Sequence, residues 1–149
     1  MLKRTRLTFT NDGVTASAEL LERDAPETCA ALWKALPFEG TLYHAIWSGP
    51  ETYLPIDSQI RIAPENQTTQ TQIGDIGYYC VDGGRIAGWP DDLSEIAFFY
   101  GRGARPSMPT GPVAMNLFAR IVDNVNGFAE ACDRIRLEGV KPFSVERSK

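Results

Sequence analysis

A lone histidine, two loop arginines and a set of aromatics at strand ends are the residues through which this chain would do chemistry. His44 is the only histidine, so any Ser-His or Cys-His nucleophilic pair, and any histidine-bearing metal site, must pass through it. An imidazole beside a cavity titrates near neutrality and suits an acid, base or ligand contact. Strand alternation sets His44 with Leu42 and Ile46, opposite Tyr43, Ala45 and Trp47. If the first set faces inward, His44 is instead a hydrogen-bonded core residue, and both readings stay open. Arg102 and Arg105 lie in Gly101-Arg102-Gly103-Ala104-Arg105-Pro106. Two guanidinium groups on a glycine-flanked loop suit a bidentate clamp on a carboxylate or phosphate, or serve solubility alone. No Gly-Lys-Ser/Thr follows them, so the segment is not a P-loop.

Trp47, Tyr53, Tyr78, Tyr79 and Phe99 supply aromatic surface. Such rings either fill a core and its lids or wall a pocket for a planar or apolar ligand. Cys80 follows Tyr79 but has no base or helix N-terminus beside it in sequence, which a nucleophilic thiol needs. Glu51, Glu65 and Asp75 are candidates for paired carboxylates, although nothing in the sequence fixes their separation. Asp75 also suits the turn that enters its strand.

The elements that must position these groups come from an ordinary globular composition. The chain has 149 residues, 43% hydrophobic and 23% charged, enough for one domain spanning 1–149 with a sizeable core. Fifteen Lys and Arg against nineteen Asp and Glu leave a net charge of −4, which argues against a nucleic-acid partner. Three widely spaced cysteines without CxxC spacing suit reduced thiols in a cytoplasmic protein. The basic, alternating run from Met1 to Asn11 predicts neither a secretory signal nor a membrane anchor. No cofactor or metal motif is legible.

Leu7 and Phe9 alternate with polar residues, Asn11-Asp12-Gly13 turns the chain, and Val14 to Leu21 returns. A helix is expected over 25–36, capped by Asp24 with Pro26 in its first turn and Glu27 completing a capping box. Strands are expected over Phe38 to Trp47, around Tyr53 and Leu54, near Ile60 and Ile62, and over Gly74 to Val81. Ser94 to Tyr100 reads as the most deeply buried strand, and Val113 to Val122 follows a loop rich in Pro and Gly. A second helix over 126–136 carries Phe128, Cys132 and Ile135 at helical spacing, and Val140 to Val145 closes the chain. The expected core is Cys29, Leu32, Leu36, Ile96, Phe98, Leu117, Ile121, Phe128 and Ile135. Two helices among about eight strands predict a mainly β, closed antiparallel barrel.

That order of elements resembles cyclophilins. Asp24-Ala25-Pro26-Glu27-Thr28 is similar to the segment that opens their first helix, and Leu42-Tyr43-His44 to their strand ending in Phe-His. Gly74-Asp75-Ile76-Gly77-Tyr78-Tyr79 and Ala97-Phe98-Phe99-Tyr100 resemble two later strands of that fold. Asn116 to Val122, followed by Phe128, resembles its closing strand and helix. Within that superfamily the chain looks nearest to a bacterial group of cyclophilin-like proteins of unknown function.

The resemblance also implies what is missing. In cyclophilins an arginine after the Phe-His pair polarises the prolyl amide, whereas Ala45 stands here and a methyl group donates no hydrogen bond to a twisted amide. The histidine and tryptophan that wall the proline pocket have no match between Gly101 and Val113. The expectation is a small-molecule or peptide-binding barrel without prolyl isomerase activity. The alternative is an enzyme, or an enzyme's accessory subunit, acting on an amide-bearing or carboxylate substrate through His44 with Arg102 or Arg105. The expected ligand site comprises His44, Trp47, Tyr53, Tyr79, Phe99, Arg102 and Arg105, where strand ends meet the arginine loop. Exposed Trp47 or Trp89 would anchor a homo-oligomer if one forms.

Overall fold

The computed structural model describes residues 2–148; Met1, at the head of the basic N-terminal run, and Lys149 lie outside them. Strands β1 (Arg4–Phe9) and β2 (Val14–Leu20) form the expected hairpin, with Phe9 opposite Val14. Helix α1 (Pro26–Ala35) leads to β3 (Phe38–His44), β4 (Glu51–Pro55), the two-residue β5 (Gln67–Thr68), β6 (Asp75–Val81) and β7 (Leu93–Phe99). A small hairpin of β8 (Ser107–Met108) and β9 (Gly111–Pro112) precedes β10 (Met115–Asp123), α2 (Val125–Glu138) and β11 (Lys141–Arg147).

The sheet runs β2-β1-β11-β3-β4-β7-β6-β10, and a further β2–β10 pairing closes it into an eight-stranded barrel. Every neighbouring pair is antiparallel, so the barrel leaves no long free edge. β5 adds a short strand beside β10. The expected mainly β, closed antiparallel barrel with two helices is the observed fold.

Alternating residues fill the interior: Leu7 and Phe9 from β1, Ala16, Ala18 and Leu20 from β2, Ile96 and Phe98 from β7. Phe9, Phe98, Phe128 and Phe143 form an aromatic cluster with ring centroids 5.0–6.1 Å apart, in tilted and edge-to-face arrangements that such rings favour. Phe128, Ala131, Cys132 and Ile135 are the stripe α2 lays on this core, and Cys29 and Leu32 are that of α1.

Three expectations fail for identifiable reasons. Asp24 does not cap α1. The N-cap is Ala25 and makes no side-chain bond. Glu65, brought in from a distant loop, instead accepts from the Glu27 and Thr28 amides at 3.1 and 2.8 Å and from the Thr28 hydroxyl at 2.7 Å. A full negative charge there suits the positive end of the helix. Ile60 and Ile62 lie in no strand, because side chains satisfy that backbone: the Tyr78 hydroxyl accepts from the Ile60 amide at 3.1 Å and lies 2.8 Å from its carbonyl. Leu117 is only half-buried, and Phe118 takes its place in the core. A register shift between Leu117 and Ala119 changes the phase of β10, as a bulge does.

The barrel wall is also covered on its outside along β4, β7, β6 and β10. There Ala97, Phe99, Ala104 and Met115 form a second apolar cluster, with Tyr53, Tyr79 and Leu117 packed against it. Burial on both faces is why β7 reads as a continuous apolar run.

Candidate functional site

The period-2 geometry of β4 and β7 decides which side chains meet on this covered outer face. Glu51 and Tyr53 point outward from β4, and Glu95, Ala97 and Phe99 do so from β7. Register pairs Glu51 with Phe99, Tyr53 with Ala97 and Pro55 with Glu95. On the other side of β7, Tyr79 of β6 stands opposite Glu95.

Three loops roof part of this face. The turn after β3 is tied to the segment before β9, because the Arg105 amide donates to the Ser48 carbonyl and the Ser107 amide to the Ser48 hydroxyl, both at 2.9 Å. The loop after β6 brings in Trp89, whose amide donates to the Ile86 carbonyl at 2.9 Å. The same loop is pinned by the Gly83 amide on the Asp92 carboxylate at 2.7 Å. Any side chain at Gly83 would collide with the Pro90 carbonyl, so glycine is required there by close approach. Between the roof and the wall lies a cavity of about 120 Å³, lined by Ala45, Ile46, Trp47, Ser48, Glu51, Tyr53, Trp89, Leu93, Glu95, Ser107 and Met108.

Two carboxylates dominate its electrostatics. Glu51 is 2% exposed, and burial pushes its carboxyl up to about 7, against a smaller pull from the Ser48 hydroxyl. Glu95 is 6% exposed, and burial, reinforced by the charge of Glu51, pushes it up to about 8. Among the described residues neither forms an ion pair. Glu51 Oε1 and Trp89 Nε1 are both buried without a hydrogen-bond partner. Each such orphan in a folded protein costs about 1–3 kcal/mol, so an acceptor and a donor stand ready in one cavity.

Of the residues expected to form a ligand site, two line this cavity. Trp47 is 46% exposed at its mouth, and Tyr53 forms its wall, stacked on Tyr43 at 5.6 Å. Tyr79 belongs to the adjoining apolar cluster, and Phe99, 0% exposed, lies inside that cluster and presents no face to a ligand. Arg102 and Arg105 are exposed and do not line the cavity.

His44 turns the other way. The strand ends at His44, so alternation carries no further, and Ile46 is 78% exposed rather than packed beside it. The imidazole Nδ1 lies 2.8 Å from the Ala45 carbonyl and Nε2 2.7 Å from the Tyr100 hydroxyl. A carbonyl only accepts, so Nδ1 carries the proton and Nε2 accepts from Tyr100. Arg136 of α2 donates to the same hydroxyl at 3.3 Å. Burial, with the positive charge of Arg136, lowers the His44 pKa and keeps the ring neutral, against the opposing pull of the Ala45 carbonyl. His44 therefore bonds Ala45 and Tyr100, neither loop arginine is among its hydrogen-bond partners, and it does not line the cavity.

Glu95 and Trp89 are among the lining residues that sequence reasoning missed as a site. Glu95 had a visible signal, a single acid beside the apolar run Ile96 to Phe99. Of the three acids that the sequence offers for pairing, only Glu51 lines the cavity; Glu65 caps α1, and Asp75 accepts from the Gln72 amide at 2.8 Å, in keeping with the turn that enters its strand. Cys29 and Cys132 are buried thiols pushed up to about 12 by burial, which leaves them unreactive. Among the described residues no group of three or more His, Cys, Asp or Glu side chains is placed to hold a metal ion, and no helix is long and apolar enough to cross a membrane.

Comparison with known proteins adds a family and a fold. The model of a family described as "Protein of unknown function (DUF3830)" matches residues 7–146. No curated protein matches the chain. Among solved structures, McbB in complex with tryptophan superposes with a TM-score of 0.72 at 18% identity, over 97% of this chain and 44% of that one. This chain thus spans less than half of that protein's length. The solution structure of the hypothetical protein AF2241 from Archaeoglobus fulgidus gives a TM-score of 0.64 at 26% identity, over 99% of this chain and 95% of that one.

Proposed function

We propose that this chain, which belongs to the DUF3830 family of proteins of unknown function, binds a small molecule in the cavity on the outer face of β4 and β7. The observation that carries this reading is the Glu51 carboxylate, buried and lacking a partner for Oε1 in an aromatic-lined space. Native proteins rarely leave such a group orphaned. A ligand with a planar or apolar body against Trp47 and Tyr53, and a polar group toward Glu51 and Trp89 Nε1, satisfies both orphans at once. McbB was solved with tryptophan, a molecule with an aromatic body and a polar head, which supports the small-molecule reading over the peptide one.

The cyclophilin resemblance belongs to the same proposal, as a shared barrel used without prolyl isomerisation. Ala45 lines the cavity and offers no cationic donor to a prolyl carbonyl. A second reading, an enzyme that moves a proton with Glu51 and Glu95, is favoured by their pKa values of about 7 and 8, near the optimum for acid–base work at neutral pH.

Native mass spectrometry of the purified full chain tests the binding reading. A bound small-molecule mass is expected on the wild type and lost from Ala45→Phe, which puts a ring into the cavity. Retention of the same mass by that variant would place the ligand elsewhere.

A further inference from the structure

Two carboxylates buried in one cavity lack a positive charge to answer them. No Lys, Arg or His is among the residues that line it. An ionised carboxylate in an apolar setting is costly unless paired, and a second of the same sign adds repulsion. Protonation relieves this without using the unpartnered Oε1 of Glu51. Resting on the small-molecule reading above, we infer that the cavity takes the ammonium group of a small amine, held between Glu51 and Glu95 with its apolar body against Trp47 and Tyr53.

Each wall of the cavity agrees with that guest. Aromatic faces attract a cation within about 6 Å of the ring centre, and Trp47, Tyr53 and Trp89 supply three rings. Glu51 Oε1 is a buried acceptor without a partner, which favours a primary or secondary ammonium over a quaternary one that has no N–H. An anionic head would face two carboxylates with no cation in the lining. The volume of about 120 Å³ is close to the roughly 150 Å³ that holds one benzene ring. The guest is therefore a compact amine, or one whose body runs out past Trp47 and Ile46 at the mouth, both of which are exposed.

The test is a charge series on the full chain, read by the fluorescence of Trp47 and Trp89, with phenethylamine, 2-phenylethanol and 3-phenylpropionate as probes. Phenethylamine is expected to bind about tenfold or more tighter than the alcohol, the usual advantage of a charge-assisted bond, and the carboxylate weakest. Glu51→Gln should weaken the amine about tenfold more than the alcohol and so erase the amine's advantage, with Glu95→Gln as the second variant should the first fold poorly. Equal binding of amine and alcohol by the wild type would overturn the amine inference and leave the cavity standing as a site. Failure of all three probes to bind, with no co-purified mass lost from Ala45→Phe, would overturn the inference and the binding reading together.

Discussion

Glu51 and Glu95 project from the same outward face of two paired strands, Glu51 opposite Phe99 and Glu95 opposite Pro55, with the Tyr53–Ala97 pair between them. That arrangement puts two acids in a layer with few polar partners, so the protein's stability must respond to their charge. Both pKa values are raised from 4.5, to about 7 and about 8. A raised acid pKa means the folded state holds protons that the unfolded state has released. The associated stability is complete below the unfolded pKa and is lost as pH rises through the folded values. His44, with its pKa lowered from 6.5, works the other way as pH falls below that value, so the clearest window lies above it. Thermal melts should show Tm falling from pH 6.5 to pH 8.5. A Glu51→Gln, Glu95→Gln double variant should be flat across that window and more stable than wild type at its upper end. A flat wild-type profile would show that the two acids ionise without cost.

Glu65 acts as a cap supplied from far along the chain, on the Glu27 and Thr28 amides. Glu65→Ala should cost about 1–2 kcal/mol, the range for loss of a helix N-cap with its charge, whereas Asp24→Ala should cost little because Asp24 makes no cap bond. Urea melts of the two variants check the contrast. Equal losses would contradict it.

Phe98 is fully buried against Phe128 and Phe143. Phe98→Ala should destabilise by about 3–5 kcal/mol. A loss below about 1 kcal/mol would place that ring outside the core.

Prolyl isomerisation of a standard peptide should not rise above background, and Ala45→Arg alone should not create it, since the histidine and tryptophan that wall the proline pocket of cyclophilins have no match here either. Robust turnover by the wild type in a coupled peptide assay would refute this.

Arg102→Ala and Arg105→Ala should leave phenethylamine binding within about twofold of wild type, as expected for exposed positions outside the lining. A tenfold loss in either would return the polar end of the ligand to that loop.

Sequence alone determined most of the strands and both helices of the barrel, because each carries its own short-range signal. The Asn11-Asp12-Gly13 turn, the alternation around Leu7 and Phe9, the doubly buried run at Ile96 to Phe99 and the α2 spacing of Phe128, Cys132 and Ile135 each span only a few residues. Trp47 and Tyr53 were legible as aromatics near strand ends for the same reason, and both line the cavity. What only the tertiary structure decided are the long-range pairings. Glu65 reaches α1 across 37 residues, and the bulge in β10 swaps Phe118 for Leu117 in the core. Glu51 and Glu95, 44 positions apart in number, share one cavity because β4 and β7 pair in a particular register. Shifting that register by one residue would send every side chain to the opposite face, and no local feature of either strand encodes the choice. The lone histidine drew attention by its chemistry, yet it is turned toward Tyr100, because β3 ends at that residue and the alternation that would have aimed Ile46 inward ends with it.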